Sequence, residues 1–169
     1  VTLTELGAKW NTDKGTLHSY LPVYEELFAP LRHRPIRLLE IGVASGASVR
    51  VWLEWFPRAE VHGIDVAPAP PSDARYVHHR HRQENEEALR EYPANHFDVI
   101  IDDGSHDPWQ QLVTCHGLWE SLKSGGLYLV EDVAFEERIA YWTMMPGFRV
   151  WKFLKDGRYD DILVMLRKS

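Results

Sequence analysis

Short apolar runs and amphipathic stretches alternate along the chain. Residues 37–42, Arg-Leu-Leu-Glu-Ile-Gly, read as a buried strand entering a glycine turn. Val49, Trp52, Leu53 and Phe56 then recur at helical spacing, and Pro57 stops that helix. Residues 60–65 form a second strand and 75–79 a weaker third. Between them, 67–72 carry three prolines and read as an irregular loop. Residues 83–92 are charged and predict a surface helix, and 96–103 predict a fourth strand. Asp107 is placed to cap the next helix, with Pro108 and Gln110 at its first and third positions. That helix is expected to reach Lys123 and to end at Ser124-Gly125-Gly126, before a fifth strand over 126–133. Residues 148–154 and 161–167 alternate around 155–159 and predict a closing antiparallel pair. Upstream, Tyr20, Leu21, Tyr24, Leu27 and Phe28 predict a helix over 19–29, Thr4 to Gly7 a short one, and 11–16 a turn. Strand and helix in alternation imply an α/β fold, a Rossmann-like sheet that is mostly parallel and closes with an antiparallel strand.

Ligands bind beyond the carboxyl ends of such strands. Three predicted strand ends carry acids: Asp65, Asp102-Asp103 and Glu131-Asp132. The last two are expected to be neighbours, which crowds carboxylates with the imidazole of His106 in one crevice. Such a cluster repels itself unless a cation sits in it. Asp103, Glu131 and Asp132 are hard oxygen donors that suit magnesium. A cation there would acidify a hydroxyl, and His106 is the candidate general base. The plainer reading makes the acids loop or capping residues and His106 a polar helix-entry residue.

The first glycine turn, Gly42-Val43-Ala44-Ser45-Gly46-Ala47-Ser48, lets a ligand approach backbone closely. Asp65, at the end of the second strand, is placed to take both hydroxyls of a ribose. The loop is neither G-x-G-x-x-G nor a P-loop, so it is a poor pyrophosphate cradle. Glu40, two residues before the turn, disfavours a phosphate and suits a cationic ligand. S-adenosylmethionine has a sulfonium and an amino group and no phosphate. Its binding set is therefore expected to include Glu40, Gly42, Ser45, Ser48, Asp65 and Asp102, with Asp102 facing the cofactor or bracing its loop.

The totals change little. The 169 residues suit one domain, 1–169, and the formal net charge of −6 gives no basic face for nucleic acid. A single cysteine, Cys115, fits a reducing compartment, and no stretch has the pattern of a signal peptide or a membrane span. A cytoplasmic protein is the expectation. Seven tryptophans suit a core, a pocket wall or a subunit interface, so a homo-oligomer stays open. His78, His79 and His81 alternate with Arg80 and Arg82 and read as a solvated basic edge.

Taken together, 11–16 with His18 and Tyr20, then 38–43, 61–65, 100–106 and 124–132, resemble the metal-dependent S-adenosylmethionine O-methyltransferases of antibiotic sugars, the mycinamicin and rhamnosyl-tetracenomycin type. The resemblance covers residues 7–133 in order. It implies a seven-stranded methyltransferase sheet, S-adenosylmethionine and magnesium as cofactors, and a small-molecule glycoside as acceptor. It implies Asp103, Glu131 and Asp132 as metal ligands and His106 as base. It further implies that residues 1–30, with Lys14, His18 and Tyr20, fold over the cofactor. Where relatives carry Gly-Asp-Gln this chain reads His81-Arg82-Gln83, which leaves Gln83 as the adenine-side candidate. The extra N-terminal domain of some relatives is not expected in this chain, and compact residues 134–147 imply a small lid. Tyr141, Trp142, Met144 and Met145 are candidates for an apolar acceptor wall or for core. Two other readings are a catechol-type O-methyltransferase and a non-catalytic cofactor-binding partner protein.

Overall fold

The computed structural model describes residues 1–69, 73–134, 136–154 and 157–169. Seven strands form one sheet: β1 Arg37–Ile41, β2 Glu60–Asp65, β3 Tyr76–Arg80, β4 Phe97–Asp102, β5 Leu122–Val130, β6 Arg149–Lys152 and β7 Ile162–Arg167. Their order is β3-β2-β1-β4-β5-β7-β6. The first five are parallel, and β7 runs antiparallel to both β5 and β6. This is the expected class I methyltransferase-type α/β sheet. Parallel strands need crossovers, and these carry α4 Ala47–Trp55, α5 Glu86–Leu89 and α6 Pro108–Leu118. Ahead of β1 come α1 Leu3–Trp10, α2 Asp13–Thr16 and α3 Leu21–Phe28.

Alternation along each strand fills two apolar layers. Leu38, Val61, Val99 and Leu129 face Leu3, Leu6, Tyr24, Phe28 and Trp52 of the helices on one side. Leu39, Ile64, Ile100 and Tyr128 face Cys115 and Leu118 of α6 on the other. β1 and β4 are therefore buried on both faces, and chemistry is confined to their ends.

Several boundaries differ from expectation. α1 is longer than Thr4 to Gly7, because Thr2 and Glu5 form a reciprocal capping box. The turn at 11–16 contains the helical turn α2, entered through Asn11 in the left-handed region at φ 53°. Only Glu86–Leu89 of the helix expected over 83–92 forms, capped by Asn85, since Gln83 is held elsewhere. α6 stops at Leu118, and β5 begins at Leu122, ahead of the glycines expected to precede it. A shift in the β4–β5 register between Phe97 and Val99 absorbs Ser124-Gly125-Gly126 inside the strand. Parts of two expected loops, residues 70–72 and 155–156, lie outside the described residues.

The histidine edge is half-buried, not solvated. His79 Nε2 lies 2.9 Å from His62 Nδ1, and its ring meets Tyr92 edge-on at 5.1 Å. Burial, helped by the surrounding imidazoles, pushes its pKa from 6.5 to about 4. The unfolded chain takes up this proton first as pH falls, so the His79 contribution to stability declines from about pH 6.5 to about pH 4. After discounting for its partial exposure, the loss is about 1 kcal/mol. His79→Gln is expected to flatten this part of the curve in urea unfolding between about pH 7 and about pH 4.5. Equal acid sensitivity in both proteins would refute the assignment.

Candidate active site

The carboxyl ends of β1, β2, β4 and β5 open on one edge of the sheet. Gly42, at φ +80°, turns the chain where a Cβ would lie 2.0 Å from the Asp103 carbonyl oxygen. Only glycine lets the β1 and β4 loops touch there, and Asp103 N–H donates to Ile41 O at 2.9 Å. Asp65 fastens the glycine loop. Its Oδ2 accepts from Val43 and Ala44 N–H at 2.9 Å each, and its Oδ1 accepts from Ala67 N–H at 2.8 Å. Burial acts to raise this carboxyl, but the N–H groups outweigh it and hold it below the usual range.

A cavity of about 570 Å³ lies over these ends, lined in part by Gly42, Ser45, Ser48, Asp65, Gln83, Asp103 and His106. Two of the expected cofactor residues sit behind it. Asp102 is fully buried; it accepts from Gly104 N–H and Gln83 Nε2, both at 3.3 Å, and from Tyr128 O–H at 3.4 Å. Of the two roles expected for it, bracing the loop is the one observed. Burial pushes its carboxyl up to about 7. Glu40 is also fully buried, accepting from Ser48 O–H at 2.8 Å. Gln83 lines the cavity, but its amide is engaged: Oε1 accepts from Ser105 N–H at 2.6 Å, and Nε2 donates to Asp102 and Thr114. It braces the 102–105 loop more evidently than it offers polar atoms to an adenine.

Beside the cavity the acids gather. Lys14 Nζ donates to Asp103 Oδ2 at 2.5 Å and Glu131 Oε1 at 2.8 Å, and lies 3.4 Å from Glu40 Oε1. Tyr24 O–H donates to the same oxygen of Glu131 at 2.5 Å, and Tyr20 O–H to Asp132 Oδ1 at 2.6 Å. His18 Nδ1 is 3.0 Å from Asp161 and 3.4 Å from Asp132, with its ring stacked on Tyr20. Lys14, His18 and Tyr20 were expected to cover a cofactor; in the structure they reach past the cavity to the carboxylates. His106 Nε2 completes the group, 3.4 Å from Asp103 Oδ1 and 3.3 Å from Asp132 Oδ2. Asp103, His106 and Asp132 thus present three ligand atoms within 4.8 Å of one another. Glu131, the other expected ligand, stands outside this group, with its Oε1 accepting from Lys14 and Tyr24. His106 and Asp132 both hold left-handed backbone, at φ 58° and 51°. Such conformations collect at functional sites.

The charges are unbalanced. Five carboxylates, from Glu40, Asp103, Glu131, Asp132 and Asp161, face three close basic groups, Lys14, His18 and His106. Burial raises the carboxyls of Glu40, Glu131 and Asp132, while Asp103, next to Lys14 and His106, is lowered. Burial opposes the Lys14 charge, yet Asp103, Glu131 and Glu40 raise its pKa well above normal. Hydrogen bonding to Asp103 likewise raises His106.

A family profile described as a methyltransferase domain matches residues 39–133. The chain belongs to the methyltransferase domain family. The matched span holds the glycine loop, Asp65, Gln83, Asp103, His106, Glu131 and Asp132. Among curated proteins the domain is 34% identical over 158 residues to the 8-demethyl-8-(2-methoxy-alpha-L-rhamnosyl)-tetracenomycin-C 3'-O-methyltransferase of Streptomyces olivaceus, covering 86% of this chain and 38% of that protein. It is 32% identical over 157 residues to the mycinamicin VI 2''-O-methyltransferase of Micromonospora griseorubida, with 86% and 38% covered. Among solved structures it superposes on the MycE methyltransferase of the mycinamycin pathway, in complex with Mg, SAH and mycinamycin VI, with TM-score 0.74 and 32% identity over 84% of this chain and 39% of that one. The chain therefore spans about two fifths of the length of these curated relatives.

Sequence reasoning missed Tyr24, Thr114 and Gln111. Gln111 Nε2 donates to the Glu131 carbonyl at 3.0 Å, and Thr114 ties α6 to Gln83. Tyr24 was read only as part of an apolar helix face; its hydroxyl was the one signal of a polar partner. The suggested acceptor wall divides: Trp142 is buried and Met145 packs against the core, while Tyr141 and Met144 are exposed. Among the described residues no helix is long and apolar enough to cross a membrane.

Proposed function

We propose that this domain carries out magnesium-dependent methyl transfer from S-adenosylmethionine to a sugar hydroxyl of a glycosylated natural product. The observation that carries the reading is the pairing of His106 with Asp132 and with Asp103, His106 and Asp103 lining a cavity that also exposes Asp65. The relatives named above are O-methyltransferases, one of them solved with Mg, SAH and mycinamycin VI, and their names supply the acceptor class.

The residues fit both groups. Asp103 and Asp132 offer the hard oxygens that magnesium prefers, Glu131 would add a third beside Lys14, and the Lys14 ammonium already stands between Asp103 and Glu131. Glu40 Oε1 is buried without a hydrogen bond and faces the Lys14 ammonium at 3.4 Å, so this carboxylate already works beside positive charge. Asp65 and the glycine loop would hold the nucleoside. S-adenosylmethionine brings an electrophilic methyl group, and magnesium brings positive charge that acidifies a hydroxyl.

The chain's own work is positioning and proton transfer. Tyr20 and Tyr24 fix Asp132 and Glu131 through their hydroxyls. His106 Nε2 takes the acceptor's hydroxyl proton. A base must start neutral, and the two carboxylates now favour its protonated form. Positive charge held between them would remove that preference. Oligomeric state and cytoplasmic location belong to the same proposal, as does the absence of a nucleic-acid partner.

A catechol-type enzyme needs less help from a base, because a phenol is far more acidic than a sugar hydroxyl. His106→Ala is therefore expected to lower turnover of a rhamnosyl glycoside by roughly 10²–10⁴-fold while S-adenosylhomocysteine binding, read by calorimetry, persists. Near-normal turnover would favour a phenolic acceptor.

A further inference from the structure

The opposite edge of the sheet carries a second ligand cluster. Glu60 opens β2, His62 lies two residues on and so on the same face of the strand, and His96 directly precedes β4. Their ligand atoms all lie within 4.8 Å of one another. Asp65, at the far end of β2, is roughly 16 Å away along the strand. We propose that Glu60, His62 and His96 bind a zinc-type divalent ion at this edge, independently of the methyl-transfer site.

The donor set is two imidazoles and one carboxylate, which selects zinc or a similar borderline ion and not magnesium. It leaves coordination positions for water. The His62 Nε2 to Glu60 Oε1 distance is 2.7 Å, so a proton lies between them. A zinc ion would replace that proton, and the pair would open to roughly 3.3 Å, the ligand spacing around a tetrahedral zinc.

The three side chains are already held by their neighbours, His62 through its second ring nitrogen as metal-binding histidines are. His62 Nδ1 meets His79 Nε2 at 2.9 Å; with zinc bound, the hydrogen between them would sit on Nδ1 and leave the Nε2 lone pair for the ion. Arg37 Nε holds Glu60 Oε1 at 3.2 Å from the side. The His96 ring packs at right angles on Phe97, 4.8 Å between centroids, and its backbone N–H donates to Ser121 O at 2.7 Å. His62 is nearly buried, while Glu60 and His96 are half-exposed, which gives an ion a path in. Because β1 lies between β2 and β4, the ion would tie together two strands that do not pair. Its expected effect is on stability.

The test is a zinc titration of the full chain in excess magnesium, with a competing chelator dye and a thermal melt. One zinc per chain should bind at this site and raise the melting temperature, and magnesium should not displace it. His96→Gln should weaken this binding at least tenfold and abolish the thermal shift. His106→Ala should leave both intact. Glu60→Gln repeats the test should His96→Gln fail to fold. The proposal is overturned if the substituted and parent chains bind zinc alike, if magnesium displaces it, or if His106→Ala removes it.

Discussion

Replacing Lys14 with methionine should destabilise the domain by about 3–5 kcal/mol, the cost of stripping the partner from buried charges. Lys14 is 1% exposed, and its ammonium is shared by Asp103, Glu131 and Glu40. Methionine fills similar space, so packing is nearly conserved and the charge is what changes. Two of the three carboxylates would remain fully desolvated with no cation beside them. For a chain of this size the melting temperature should fall by roughly 10 °C or more. If magnesium occupies the same acidic centre, millimolar magnesium should recover part of the loss in the Lys14→Met protein and add less to the parent. A melting temperature within about 2 °C of the parent would mean that the acids are already neutral and the reading of this centre is wrong.

The second large effect concerns catalysis. Asp132→Asn keeps the side-chain shape and an acceptor for the Tyr20 hydroxyl, 2.6 Å away. It removes the charge 3.3 Å from His106 Nε2 and one hard oxygen from the expected metal set. Both losses act on the reacting hydroxyl, so turnover should drop by about 10²–10⁴-fold, the equivalent of several kcal/mol of barrier. The fold should persist, since Asp132 follows β5 and contributes no apolar contact. Single-turnover transfer of a labelled methyl group, with unfolding measured in parallel, separates the two effects. Turnover within a few-fold of the parent would remove Asp132 from the chemistry.

How much of this was legible in the sequence follows from the range of each interaction. The acids at the ends of β2, β4 and β5 were legible because a buried parallel strand shows as an apolar run whose end is abrupt. His106 followed from its distance to Asp103. The glycine at 42 was legible as a turn, while its real constraint, contact with the Asp103 carbonyl, joins residues 61 apart in sequence and leaves no local mark. Lys14 meets Glu131 across 117 residues, and Tyr24 meets it across 107. Neither pairing has a period or spacing that a linear pattern records. The same holds for Gln83, whose place in a predicted surface helix hid its bonds to Asp102, Ser105 and Thr114. The β5 boundary was misplaced for another reason: two glycines usually end a strand or helix, and here a register shift against β4 accommodates them.

Methyl transfer itself is the most direct measurement. The full chain, S-adenosylmethionine and a rhamnosylated polyketide are incubated with magnesium or with a chelator, and products are read by mass spectrometry. A glycoside heavier by one methyl group, formed with magnesium and absent with chelator, is the expected result. Failure to bind S-adenosylmethionine at high concentration, or transfer that proceeds equally in chelator, would contradict it.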